Sequence, residues 1–205
     1  IGYKALEDLN AGAEAFNIAI GYESGQNITT GIENTIVGTN AGDALTDADF
    51  NVAVGRSALT ADTLGSRSVA VGTAALQAQN FTTATDTHNT AVGFSAGKAV
   101  TTGTANTLVG GLAGDALTTS QFNVAVGKSA LSADTLGSRS VAIGTFNLEV
   151  QNFTTATDVY NTAVGHGAGA VVTTGIENTL IGGLAGVALT DADYNVALGA
   201  RALGS

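Results

Sequence analysis

One six-residue phrase, repeated down the whole chain, constrains the fold more than any other feature of the sequence. It reads FNIAIG ending at Gly21, ENTIVG at Gly38, FNVAVG at Gly55, RSVAVG at Gly72, HNTAVG at Gly93 and ANTLVG at Gly110. It continues as FNVAVG at Gly127, RSVAIG at Gly144, YNTAVG at Gly165, ENTLIG at Gly182 and YNVALG at Gly199, and the chain opens on Ile1-Gly2, the tail of one more. The intervals between these glycines are 19, 17, 17, 17, 21, 17, 17, 17, 21, 17 and 17. Three short coils and one long coil thus build a 72-residue unit, and residues 50–72 return almost unchanged at 122–144. No such coil can bury a core alone, so residues 1–205 read as one β-roll domain of about twelve stacked coils.

Within the phrase, the residue before glycine is always aliphatic (Val54, Val71, Val92), and two residues earlier it is Val, Ile or Thr (Val52, Val69, Thr90). That spacing, with that preference, predicts a short strand with one buried face. Glycine closes the strand where the corner needs a positive φ or a close backbone approach. Seventeen residues holding two glycines and a strand leave no room for a stable helix, so the fold class is all-β, a parallel β-solenoid. The opposite strand face is apolar too: Ala53, Ala70, Ala91, Ala125, Ala142 and Ala163 fill its column, with Ile36, Leu108 and Leu180 between. A lone solenoid is expected to show water a polar residue there. Two apolar faces therefore predict that one fills the coil and the other packs on an identical chain, with those six alanines as the oligomer seam. A flattened roll that buries both columns is the competing arrangement. The Asn column that opens the strands (Asn34, Asn51, Asn89) is expected to form a ladder of stacked amides.

Composition removes several function classes. The chain has no cysteine, so a disulfide scaffold, a thiol nucleophile and an iron–sulfur site are excluded. Seven Lys and Arg against 17 Asp and Glu give a net charge of −10, which repels nucleic acid and anionic membranes. No apolar run approaches the roughly 18 residues of a membrane span, so no membrane insertion is expected.

The phrase N-[TV]-A-[VI]-G, with Ser68-Val69-Ala70-Val71-Gly72 and Ser140-Val141-Ala142-Ile143-Gly144 as variants, resembles the YadA-type head repeat of trimeric autotransporter adhesins. The 17-residue form is also similar to repeats of phage tail-fibre-like proteins. The resemblance spans essentially the whole chain; the coils here are longer and less uniform than those of the adhesin head. It implies a left-handed roll assembled side by side as a homotrimer. It also implies a structural and adhesive module of an extracellular fibre, on a bacterial surface or a virion, presenting sites for a host-cell or matrix receptor such as a glycan. Ends that stop in mid-motif fit a segment of a longer fibre.

Chemistry beyond adhesion finds little support. Gly127-Lys128-Ser129 looks like the end of a phosphate-binding loop, but the earlier glycine such a loop needs is Phe122. His88 and His166 sit in different columns with no second ligand at metal spacing, and no nucleophile–base set can be assembled. Neither an enzyme nor a cofactor or metal is therefore expected. The long coils offer the best binding candidates, because loops on a rigid scaffold carry recognition. Gln79-Asn80-Phe81-Thr82-Thr83-Ala84-Thr85-Asp86 recurs as residues 151–158, which nominates Phe81, His88, Phe153 and Tyr160. The competing reading tucks these rings back as anchors or sets them in the oligomer seam, like Phe50 and Phe122. A different functional class stays open: a monomeric ice- or surface-binding solenoid using one flat face. Its Thr column (Thr35, Thr90, Thr107) alternates with Val and shares the face expected to be buried.

Overall fold

The computed structural model describes residues 1–12 and 14–204. Eleven three-residue strands lie side by side in one parallel sheet, each ending on the residue before a repeat glycine. They are Ile18–Ile20, Thr35–Val37, Val52–Val54, Val69–Val71, Thr90–Val92, Thr107–Val109, Val124–Val126, Val141–Ile143, Thr162–Val164, Thr179–Ile181 and Val196–Leu198. Equivalent phrase positions pair in register, Val52 with Val69 and Ala53 with Ala70, and the long coils keep that register, Ala70 pairing with Ala91. None of the described residues is helical. The chain is a parallel β-solenoid of eleven stacked coils.

The strand faces are the reverse of the seam expectation. Ala53, Ala70, Ala91, Ala125, Ala142 and Ala163 are all 0% exposed within the single chain, so they fill the roll and cannot be the seam between chains. The reason is the thinness of the roll. A second small column (Ala41, Ala58, Ala75, Ala113) is also fully buried, and Leu59, Leu76 and Leu117 share the same core. Ala on the strand leaves room for Leu in a space that cannot hold large side chains everywhere. The other strand face, Val52 and Val54 in one coil and Thr90 and Val92 in another, points outward and is half-buried only by its neighbours along the sheet. The Thr column therefore lies outside as well, where the sequence reading had it buried.

Backbone geometry makes coils this tight possible. At Gly110, φ is +134° and an added Cβ would lie 2.5 Å from the Gly127 carbonyl oxygen, so the strand-ending column admits only glycine. Side chains then knit the coils together. The Asn51 backbone N–H donates to Asn34 Oδ1 at 2.9 Å, while Asn51 Nδ2 donates to the Gly65 carbonyl at 2.9 Å. The same pair of bonds recurs at Asn106 and Asn123, which is the expected ladder. A second ladder uses threonine: Thr46, Thr101, Thr118 and Thr173 each donate to the carbonyl of the equivalent residue one coil on. The asparagine bonds satisfy buried groups that stacking removes from water, while the threonine bonds run along the half-buried and exposed rim.

Candidate interaction surfaces

In the long coils, inserted residues follow a buried polar staple. Asp62 is fully buried, and its carboxylate accepts from the Gly65 N–H (3.1 Å), the Phe81 N–H (2.9 Å) and Gln79 Nε2 (2.6 Å). Gln79 also donates to Ser68 Oγ at 2.8 Å and accepts from Asn89 Nδ2 at 2.9 Å. This explains why Ser68 and Ser140 interrupt the Asn column: the shorter side chain makes room for a glutamine arriving from across the roll. The second unit repeats the staple through Asp134, Ser140, Gln151 and Asn161. One member differs: Thr87, bonded to Ser68 Oγ, becomes Val159.

This staple decides two of the four nominated residues. Phe81 and Phe153 are each only 7% exposed, pulled in where their N–H groups bond the buried aspartate, so they anchor the loops and offer almost no surface for binding. His88 and Tyr160 stay exposed. They belong to a column five residues before each repeat glycine, where the backbone is left-handed in every described coil: φ is 59° at Phe50, 63° at Arg67, 53° at His88, 59° at Phe122, 65° at Arg139 and 55° at Tyr160. A side chain there costs about 1–2 kcal/mol that glycine would avoid, yet no coil places glycine in this column.

The structure brings the column's side chains together as an outer stack. The Arg67 guanidinium lies 4.7 Å from the Phe50 ring centroid, and its Nε pairs with Asp86 Oδ1 at 3.0 Å. Arg139 does the same with Phe122 and Asp158, at 4.7 Å and 3.0 Å, and also faces the Tyr160 ring at 5.9 Å. The Tyr160 hydroxyl donates to Asp158 at 3.5 Å. Each cation is thus held by an aromatic face and a carboxylate, which fixes its direction. Sequence reasoning missed Arg67 and Arg139 as members of this surface, and took Phe50 and Phe122 for anchors or seam residues. The signal was available, since all precede Asn or Ser in the phrase.

The second surface is the outer sheet face. Eleven strands contribute two outward side chains each; five of the 22 are Thr, the rest are aliphatic, and none is charged. At about 4.8 Å per strand it forms a continuous strip roughly 50 Å long, near the upper limit of apolar patches on monomers. Among the described residues no pocket opens and no group of His, Asp and Glu is placed to hold a metal ion. Among the described residues one buried side-chain oxygen, Asp115 Oδ1, has no hydrogen-bond partner, and burial pushes that carboxyl above the usual range despite Lys98 nearby. No protein-family model matches the chain, and no curated protein or solved structure matches it.

Proposed function

We propose that this chain is a non-enzymatic structural and adhesive module of an extracellular fibre, a left-handed β-roll that packs side by side with identical chains as a homotrimer. The observation that carries this reading is the outer sheet face. A strip of Val, Ile, Leu and Thr with no charge in eleven successive strands is costly to leave in water, and it suits burial against copies of itself. The strip takes over the seam role that the sequence reading assigned to the alanines. Three parallel rods present every outer loop three times at equal height, so weak contacts with a host-cell or matrix receptor, a glycan among the candidates, multiply by avidity. A bacterial surface or a virion tail is the setting that the repeat resemblance supplies. An anionic rod of net charge −10 is suited to stay soluble and to avoid nucleic acid.

A second reading has an observation in its favour. The Thr column (Thr35, Thr90, Thr107, Thr162, Thr179) points outward, as an ice- or surface-binding monomer would need, although Val or Ile fills the other strands of that column. Against it, the column next to glycine carries no hydroxyl in any coil. Light scattering separates the two. A native mass near three times 20.1 kDa, falling to one times 20.1 kDa in a Val71→Lys, Val109→Lys variant that keeps its β-sheet circular dichroism, is the expected result. A wild-type monomer at micromolar concentration sinks the fibre reading and leaves the flat-face solenoid.

A further inference from the structure

Three Asn-x-Thr triplets occur in the chain: Asn27-Ile28-Thr29, Asn80-Phe81-Thr82 and Asn152-Phe153-Thr154. Such a triplet is the acceptor signal for N-linked glycosylation, in which the asparagine amide nitrogen takes the sugar. Each has an exposed asparagine, a buried middle residue and an exposed threonine, so sequence and burial rank the three alike. Their hydrogen bonds do not. At the first triplet both polar groups are spent on the fold: Asn27 Nδ2 donates to the Asp43 carbonyl at 2.6 Å, and Thr29 Oγ1 to the Thr46 carbonyl at 3.3 Å. The backbone N–H groups of Asn27 and Thr29 bond the same two carbonyls. At the other two, each carboxamide is met only at its oxygen, Asn80 Oδ1 by Thr63 Oγ1 at 3.3 Å and Asn152 Oδ1 by Thr135 Oγ1 at 3.0 Å. Among the described residues, Asn80 Nδ2, Asn152 Nδ2 and the hydroxyls of Thr82 and Thr154 have no partner.

The column to which these asparagines belong sharpens the contrast. Eight residues after each repeat glycine stands threonine at 29, 46, 63, 101, 118, 135, 173 and 190, and asparagine only at 10, 80 and 152. Thr46, Thr101, Thr118 and Thr173 pass their hydroxyls to the next coil, whereas Asn80 and Asn152 pass no side-chain bond onward. Asn10 is followed by Ala11 and Gly12, without the hydroxyl the signal needs. The backbone after the two free asparagines is also loose. Phe81 N–H is held by Asp62 and Thr85 N–H by the Leu64 carbonyl, but Thr82, Thr83 and Ala84 between them are exposed and donate no backbone hydrogen bond. Residues 154–156 repeat this. An acceptor has to bring its amide and hydroxyl together in a transferase site, which these loops can do and the pinned Asn27 triplet cannot without breaking four bonds.

We propose that Asn80 and Asn152 are acceptors for N-linked glycosylation, and that the fold withholds Asn27. The co-substrate is a sugar carried as the diphosphate ester of a nucleotide or a lipid. Asparagine Nδ2 forms a bond to the anomeric carbon as the bond from that carbon to the diphosphate oxygen breaks. The diphosphate carrier leaves with the electron pair, and a base of the transferase takes one Nδ2 proton. The two sugars stand one 72-residue unit apart, about 19 Å along the rod, and make the long-coil loops bulky and soluble. Neither asparagine belongs to the outer sheet strip, so the proposal stands apart from the assembly reading.

The test incubates the folded chain with UDP-glucose and a soluble glucosyltransferase that reads Asn-x-Ser/Thr. A parallel arm uses a lipid-linked oligosaccharide and a membrane oligosaccharyltransferase, and the arm that reacts identifies the donor. Peptide mass spectrometry is expected to find sugar on Asn80 and Asn152, with Asn27 modified at least tenfold more slowly. Thr82→Ala is expected to leave Asn152 as the modified site and Thr154→Ala to leave Asn80, both with unchanged circular dichroism, because neither hydroxyl holds a bond in the fold. No sugar on Asn80 or Asn152 in either arm overturns the sites. Asn27 reacting as fast as Asn80 overturns the selection by the fold. Either failure leaves the fibre reading to its own light-scattering test.

Discussion

Two kinds of coil share one backbone and fill it differently. In the coils that follow Gly38 and Gly110, the strand centre is large (Ile36, Leu108), the residue four after glycine is Gly42 or Gly114, and the residue seven after is Leu45 or Leu117. In the coils that follow Gly55 and Gly127, the strand centre is Ala53 or Ala125, the fourth residue is Leu59 or Leu131, and the seventh is the buried Asp62 or Asp134. The fourth residue is left-handed in both kinds, with φ 55° at Gly114 and 55° at Leu131. Leucine therefore enters the roll either from the strand and the far wall, with glycine between them, or from the corner, with alanine and aspartate around it. Between these two kinds of coil the backbone is kept while the leucine moves from wall to wall; the coils after Gly93 and Gly165, with Ala91 or Ala163, Gly97 or Gly169 and Val100 or Val172 in the same places, hold no leucine there. Only the second arrangement leaves space for a polar staple, and the long coil grows out of that staple.

Breaking the staple is the most severe way to test this contrast. Asp62→Ala strips an acceptor from Gln79, Phe81 and Gly65 inside the roll, and is expected to cost about 3–5 kcal/mol; denaturant unfolding would show it, and an effect under 1 kcal/mol would mean that the staple is dispensable. The glycine coils fail more gently, through crowding. A Cβ on Gly114 meets Leu108 Cδ2 at 2.7 Å and Leu117 Cδ1 at 2.8 Å, so Gly114→Ala is expected to cost about 2–3 kcal/mol from overpacking and the positive φ together. Adding Leu108→Ala to that variant moves the coil toward the leucine arrangement and should recover part of the loss. If the double variant is as weak as the sum of its singles, volume is not what the two coil types exchange.

The smallest effect concerns Asp115, whose counterpart in the first unit is Asp43. Burial raises the Asp115 carboxyl above its ordinary 3.8 in the folded chain, so the folded state binds that proton more readily than the unfolded chain does. Stability therefore falls as pH rises from that ordinary value through the raised one. Asp115→Asn should raise the melting temperature slightly at pH 7, and the gain should vanish below pH 3.8. A gain that is constant with pH would point to a cause other than charge burial.

The recurrence of glycine at 17 and 21 residues, the β-branched column and the Asn row were enough to predict parallel coils, strand positions, register and the amide ladder. Local chemistry dictates these, because each copy must satisfy the same backbone against an identical neighbour. Which strand face looks inward was decided only by the tertiary structure. Ala at one face and Val at the other are both apolar, and pattern alone cannot tell a narrow interior from a tight seam. The width of the roll settles it, since the interior has space for alanine on the strand wherever leucine enters from the corner. The binding candidates divided for a similar reason. Phe81 and Tyr160 read alike as loop aromatics, but Asp62 draws the first inward by its backbone N–H, while a left-handed corner holds the second out beside Arg139. Contacts between residues 19 or more apart make that choice, and the local sequence does not specify them.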